Sequence, residues 1–256
     1  MQYKTIIIEN LNNNIIIMRL NRPETLNALN KLMLVEIDDF INNIIFDKKI
    51  RVLIITGSEK SFSSGADLKE RKKFSSEQTL ERLCFIGIIF NKINLLNIPT
   101  IAAIQGIAFG GGLELALSCD FRFMDKNSKI GLPECKLGII PGAGGTQRLT
   151  RLIGMANAKK LIFTGKIIKS QDALYYGIIN SISNDILEDA ISLASSFLHA
   201  SYLSIKVAKI AIQDGNHLSL KEGLELENKC YQKTLYSKDR LEGLKAFAEK
   251  RKPIFT

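Results

Sequence analysis

The chain has 256 residues, 46% of them hydrophobic and 24% charged, the proportions of a soluble globular protein rather than a disordered or fibrous one. Its net charge of +9 asks for an anionic partner, whether phosphate ligand, nucleic acid or membrane surface, and does not choose among them. Four cysteines, Cys84, Cys119, Cys135 and Cys230, with no CxxC pair, support neither a zinc site nor a disulfide scaffold and point to reduced thiols in a reducing compartment. The first residues, Met1 to Thr5, lead straight into an isoleucine-rich strand without a basic region followed by an apolar one. The expected location is the cytoplasm, or an organelle matrix should a transit peptide precede this sequence.

Tyr3–Glu9 and Ile15–Leu20 read as strands rich in β-branched residues, joined by an Asn12-Asn13-Asn14 turn. A helix is predicted over Asn30–Phe46, with its apolar residues on one face. Arg51–Thr56 has the apolar run of a strand covered on both faces. Ser75 and Gln78 form a capping box that opens a helix to about Asn97, and Pro99 stops it. Thr100–Gln105 is a further strand, and helix signals resume at Gly110-Gly111-Gly112. The stretch from Ile101 to Cys119 is nearly uncharged and about long enough to span a membrane. Gln105, Glu114 and three consecutive glycines fit a buried strand followed by a buried helix better. Strand and helix alternate to about residue 183, with turns at Pro133, Pro141-Gly142 and Gly165, which argues for an α/β fold with crossover connections. From about Ile186 the pattern is purely helical, with a second capping box at Ser219 and Glu222.

Two carboxylates stand out. Glu114 sits between Gly110-Gly111-Gly112-Leu113 and Leu115-Ala116-Leu117, an acid in a glycine-opened, apolar helix start. An isolated acid there simply complements the helix dipole. Buried among apolar neighbours, it acquires a raised pKa suited to acid–base work. Glu134 follows Pro133 and is unremarkable alone; the pair becomes informative if folding brings the two together, since a water between two carboxyls can lose a proton to one while the other donates. Ser64-Gly65-Ala66-Asp67 follows a strand and leads into a short helix, an arrangement that Gly110-Gly111-Gly112 repeats. Two converging N–H groups would make an oxyanion hole, although either loop by itself reads more simply as a tight turn.

Nucleotide-binding readings fail on the residues. Gly142-Ala143-Gly144-Gly145-Thr146-Gln147 has Gln147 where GxGxxG needs its third glycine, and Gly106 to Gly112 lacks the Lys-Ser/Thr of a P-loop. The two histidines, His199 and His217, lie in the helical tail, which argues against a Ser-His-Asp site or a histidine-bound metal. Basic clusters occur at Lys69/Arg71/Lys72/Lys73, Lys159/Lys160 and Lys250/Arg251/Lys252. The first follows the Gly65-Ala66-Asp67 loop, where a phosphate-bearing ligand could meet it.

Asn21-Arg22-Pro23-Glu24-Thr25-Leu26-Asn27-Ala28-Leu29 resembles the N-terminal signature of the enoyl-CoA hydratase/isomerase (crotonase) superfamily. Phe62 to Lys69 is similar to its first oxyanion loop, and Ile101 to Glu114 to its second. Pro133-Glu134 and Pro141 to Leu149 complete five ordered motifs, and the likeness runs from Tyr3 to Pro253. The resemblance implies an α/β spiral of repeated ββα units over residues 1–185, then a helical region over 186–256 used in trimer contacts. It implies a homotrimer or homohexamer that hydrates an acyl-CoA substrate in fatty-acid or leucine breakdown, with no metal and no cofactor beyond the coenzyme A of that substrate. By the same likeness the Ala66 and Gly111 N–H groups hold the thioester oxygen, and Glu114 and Glu134 flank the water. Ala66, Asp67, Leu68 and Lys69 line the coenzyme path, and Gly142 supports the pocket. Keeping both acids favours a hydratase over an isomerase that needs one.

Ala66 to Arg71, Gly112 to Leu117 and Lys238 to Leu244 resemble the 3-methylglutaconyl-CoA hydratase branch, in which a lysine comb on the first helix is linked to RNA binding. Here Lys31 to Phe40 holds one lysine and three acids, so neither nucleic acid nor membrane is an expected partner.

Overall fold

The computed structural model describes residues 3–12, 14–45, 47 and 49–255. Strands β1 (Ile6–Leu11) and β2 (Ile15–Leu20) pair antiparallel, from Ile6 opposite Leu20 to Leu11 opposite Ile15. β1 starts three residues later than the apolar run predicts, because Glu36 takes the N–H groups of Lys4 and Thr5, both at 2.8 Å. Asn12 adopts a left-handed conformation at the turn, and Asn13 lies outside the described residues. Helix α1 (Lys31–Ile44) is capped by Asn30, whose side chain accepts from Met33 N–H. Its buried Met33, Leu34, Ile37, Phe40, Ile41 and Ile44 recur at helical spacing, so one face packs on the sheet. Phe46, the expected end of this helix, is outside the described residues.

The chain then repeats a course of two strands and a helical segment. The first turn is β3 (Val52–Thr56), β4 (Ser61–Ser63), α2 (Leu68–Arg71) and α3 (Ser76–Asn94). The second is β5 (Thr100–Ile104), β6 (Ile107–Phe109) and α4 (Gly111–Leu117). The third is β7 (Phe121–Asp125), β8 (Lys129–Gly131), a 3-10 turn (Glu134–Leu137), α5 (Gly145–Ile153) and α6 (Met155–Thr164). β9 (Ile168–Lys169), α7 (Ser170–Tyr175) and β10 (Ser181–Ser183) close the spiral. In each of the three turns the first strand joins a six-stranded sheet, ordered β1-β2-β3-β5-β7-β10, and the second a four-stranded sheet, ordered β4-β6-β8-β9. The ββα spiral implied by the five motifs is therefore present. The Ser75–Gln78 capping box opens α3, which ends three residues short of Asn97. Leu96 and Ile98 are buried, and the residue before Pro99 favours extended backbone, so the chain leaves the helix early.

The large sheet is apolar on both faces because both are covered. Ile16, Met18, Leu53, Ile55, Ala102 and Ile104 face the main core. Their neighbours Ile15, Ile17, Val52, Ile54, Ile101 and Ala103 face outward, under α8 (Ile186–Phe197), which contributes Ile186, Ala190 and Ala194. After α8 come α9 (Tyr202–Gly215), α10 (Leu220–Leu235) and α11 (Lys238–Ala248). Lys209 of α9 donates to Asp120 at 2.7 Å and to the Ile98 carbonyl at 3.0 Å, tying the tail to the core. The apolar stretch 101–119 is strand, strand and buried helix, and among the described residues no helix is long and apolar enough to cross a membrane.

Candidate active site

β4, β6 and β8 lie side by side and parallel, so the loops leaving their C-terminal ends meet at one edge of the small sheet. Those loops carry Ala66, Gly111 and Glu134. Sequence spacing alone leaves them far apart, and the spiral brings them together.

In the first loop, Leu29 N–H donates to Gly65 O at 2.8 Å and Asp67 N–H to Leu29 O at 3.3 Å, an isolated parallel bridge with Ala66. The Ala66 N–H lies outside that pairing. Gly111 is the first residue of α4, so its N–H has no acceptor within the helix. A Cβ added to Gly111 would lie 3.7 Å from Ala66 N, and one on Gly65 only 3.1 Å from Gly111 N, which sets the two N–H groups side by side. Gly65 has φ +92°, and its absent Cβ would come within 2.6 Å of Phe109 O. Only glycine permits that approach.

The segment from Asn21 to Leu29 holds this loop from behind. Leu26 and Asn27 both take left-handed backbone, turning the chain so that the buried Asn27 amide donates to Ser61 O at 2.8 Å. Asn27 Oδ1 accepts from Arg22 N at 2.7 Å, and the Arg22 guanidinium donates to Ala28 O and pairs with Asp67 at 3.1 Å. The sequence showed this segment only as a family marker. Its physical work is to buttress the loop that presents the Ala66 N–H.

Glu114 is buried within α4. Its Oε1 accepts from Ala143 N and Gly145 N, both at 2.8 Å, where the chain enters α5. Burial raises its pKa, against the pull of those two N–H groups and of the nearby Arg148 charge. Arg148 also donates to Ala143 O at 3.0 Å, so the same side chain braces the loop that solvates Glu114. Glu134 opens the 3-10 turn, half-buried, with Oε1 directly beneath Gly110, whose missing Cβ would lie 2.8 Å from it. Its Oε2 is buried and has no hydrogen-bond partner among the described residues. Burial first, and then the charge of Glu114, push the Glu134 pKa up to about 7, against its own backbone N–H and Arg71. The two carboxyls thus differ in kind. Burial raises both, but Glu114 has two fixed donors that can stabilise its anion, whereas Glu134 Oε2 has none among the described residues, the kind of division that acid–base pairs use.

A cavity of about 550 Å³ opens between them, lined by Ala66, Leu68, Gly111, Glu114, Glu134 and Gly142 among others. Asp67 and Lys69 are not in its wall. Asp67 caps α2, accepting from the N–H groups of Lys69 and Glu70, and the Lys69 side chain is exposed. Neither histidine lines the cavity.

The sequence matches the family described as enoyl-CoA hydratase/isomerase over residues 10–256. The chain belongs to that family. It is similar to the probable enoyl-CoA hydratase 2, mitochondrial, of Arabidopsis thaliana, with 46% identity over 245 residues covering 94% of this chain and 81% of that protein. The methylglutaconyl-CoA hydratase, mitochondrial, of Rattus norvegicus is 44% identical over 255 residues, 97% of this chain and 81% of that one. A crystal structure of an enoyl-CoA hydratase from Bacillus anthracis superimposes with a TM-score of 0.96 at 40% identity, covering 98% and 99% of the two chains.

Against this family background, several wall residues were not singled out from the sequence. Leu83 and Ile86 reach the cavity from α3, and Ile139 and Ile140 from the loop before Pro141. Their signal was present as apolar spacing, which does not separate a substrate wall from a core. Ala143 and Gly145 were read within a failed dinucleotide motif, yet their N–H groups serve a carboxylate rather than a phosphate. Arg71 was one member of a basic cluster and is the member that enters the cavity wall.

Proposed function

We propose that this enzyme adds water syn across the 2,3 double bond of a short-chain enoyl-CoA thioester. The observation that carries the reading is the placement of two unlike carboxyls, Glu114 and Glu134, in the wall of one largely apolar cavity, with the Ala66 and Gly111 N–H groups, unpaired among the described residues, beside them. A water held between the acids loses its proton to Glu114, whose anion the Ala143 and Gly145 N–H groups stabilise, as its oxygen bonds to C3. The electron pair of the double bond moves onto the thioester oxygen, where the Ala66 and Gly111 N–H groups stabilise the enolate. Protonated Glu134 then supplies the proton that C2 gains. Both acids approach from the same cavity wall, which keeps the addition on one face, and the proton taken by Glu114 passes back to Glu134 through solvent before the next turnover. The chemistry needs no cofactor beyond the coenzyme A of the substrate. The family membership supports the acyl-CoA substrate, and the methylglutaconyl-CoA hydratase name of one relative supports a branched, carboxylated acyl group as the narrower reading.

The test offers purified protein crotonyl-CoA and a 3-enoyl-CoA in parallel and follows the conjugated enoyl thioester. Loss of conjugation with the first substrate and little change with the second is the expected result. Gain of conjugation from the 3-enoyl-CoA without hydration of crotonyl-CoA would make the protein an isomerase instead.

A further inference from the structure

The wall of the cavity contains three charged side chains among the described residues: Glu114, Glu134 and Arg71. Arg71 comes from the end of α2, three residues after Leu68, so one helical face presents both to the cavity while Lys69, Lys72 and Lys73 are exposed. The two acids nearest it in sequence are committed elsewhere. Asp67 pairs with Arg22 at 3.1 Å and caps α2, and Glu70 pairs with Arg82 at 2.9 Å while accepting from Lys31 N at 3.0 Å. The Arg71 guanidinium has no ion pair within 4.0 Å and no side-chain hydrogen bond among the described residues. It lines the same cavity as Glu114 and Glu134, the two acids of the reacting centre.

An unpaired guanidinium facing a mostly apolar cavity is a receptor for a planar anion. Five fixed donors match a carboxylate bidentately, and a carboxylate brought into such a space without a partner would be costly. Extending the hydratase reading and resting on it, we propose that Arg71 selects enoyl-CoA substrates whose acyl group ends in a carboxylate. The coenzyme phosphates are the other source of negative charge. They sit a pantetheine arm away from the thioester that Ala66 and Gly111 would hold, whereas Arg71 shares one cavity wall with Ala66, Gly111, Glu114 and Glu134.

The experiment measures calorimetric binding of glutaryl-CoA and of valeryl-CoA, which lacks the terminal carboxylate; both are saturated, so binding is read without turnover. Wild-type protein binds glutaryl-CoA at least as tightly as valeryl-CoA. Arg71→Met shifts the ratio of the two Kd values by ~10-fold or more against glutaryl-CoA, and Arg71→Lys by less, because a point charge replaces a fork. The ratio of kcat/KM for 3-methylglutaconyl-CoA over crotonyl-CoA moves the same way. Equal weakening of both ligands in Arg71→Met would assign the guanidinium to the coenzyme phosphates and overturn the proposal. Weaker binding of glutaryl-CoA than of valeryl-CoA by the wild type overturns it without any variant. A failure to hydrate crotonyl-CoA would count against the hydratase reading and leave these binding ratios interpretable.

Discussion

The buried, unpartnered Oε2 of Glu134 is a group the fold tolerates at a cost, and that cost has a pH signature. Its folded-state pKa, about 7, stands above the ordinary 4.5. The folded chain therefore binds the proton more tightly than the unfolded one. The associated stability is complete below about pH 4.5 and is lost as pH rises through about 7. Glu134→Gln removes the titration while keeping the shape. The variant should match the wild type in stability at about pH 4 and exceed it at about pH 8. The gain there is on the order of 1–2 kcal/mol after discounting for the half-exposed position. Urea denaturation at the two pH values measures it, and an equal offset at both would show that Glu134 is not held protonated. The same shift makes kcat/KM for hydration decline above about pH 7, since the acid that protonates C2 is then ionised.

At the scale of elements, the site depends on three strand ends and on glycines that let loops and carboxyls pass close to one another. Gly110 caps α4 with φ +51° and has Glu134 Oε1 where a Cβ would stand. Gly110→Ala should therefore strain the backbone and displace Glu134 together. A loss of about 1–3 kcal/mol in stability and at least ~10-fold in kcat is expected, with a smaller change in KM. Thermal unfolding and steady-state kinetics on one preparation check both, and unchanged kcat would mean that the carboxyl position is uncritical. Capping boxes, prolines and the apolar alternation made most elements legible in the sequence, because each is a local signal. The start of β1 was not legible, since it is decided by Glu36 of α1, 31 residues beyond Thr5. The role of Asn21–Leu29 was hidden for the same reason: Asn27 and Arg22 act on a loop about forty residues away, at Ser61 and Asp67.

Over the whole molecule, the acids that replace the lysine comb on α1 have internal work. Glu36 accepts from Lys4 and Thr5, Asp38 pairs with Lys92 at 2.6 Å, and Asp39 accepts from Tyr3. The charge of +9 is expected to serve acyl-CoA phosphates and solubility rather than nucleic acid. The tail helices leave large apolar side chains in solvent, with Leu220 80%, Tyr236 93% and Phe247 85% exposed. Faces of that kind mark protein contacts, and the homotrimer or homohexamer implied by the resemblance would cover them. Sedimentation should give three or six times the chain mass of 28.6 kDa. A monomer at micromolar concentration would contradict that assembly. The two acids were named from the sequence, but their unlike environments were not, because those depend on Ala143, Gly145 and Gly110, which only the spiral brings near.

The central claim, that Glu114 and Glu134 act as one acid–base pair, is tested most directly by a double-variant cycle on crotonyl-CoA hydration. Glu114→Gln and Glu134→Gln should each lower kcat by at least ~10² with the fold retained, and the double variant should lose far less than the product of the two, because the acids work as a unit. Near-wild-type hydration by either single variant, or losses that multiply in the double, would contradict the account.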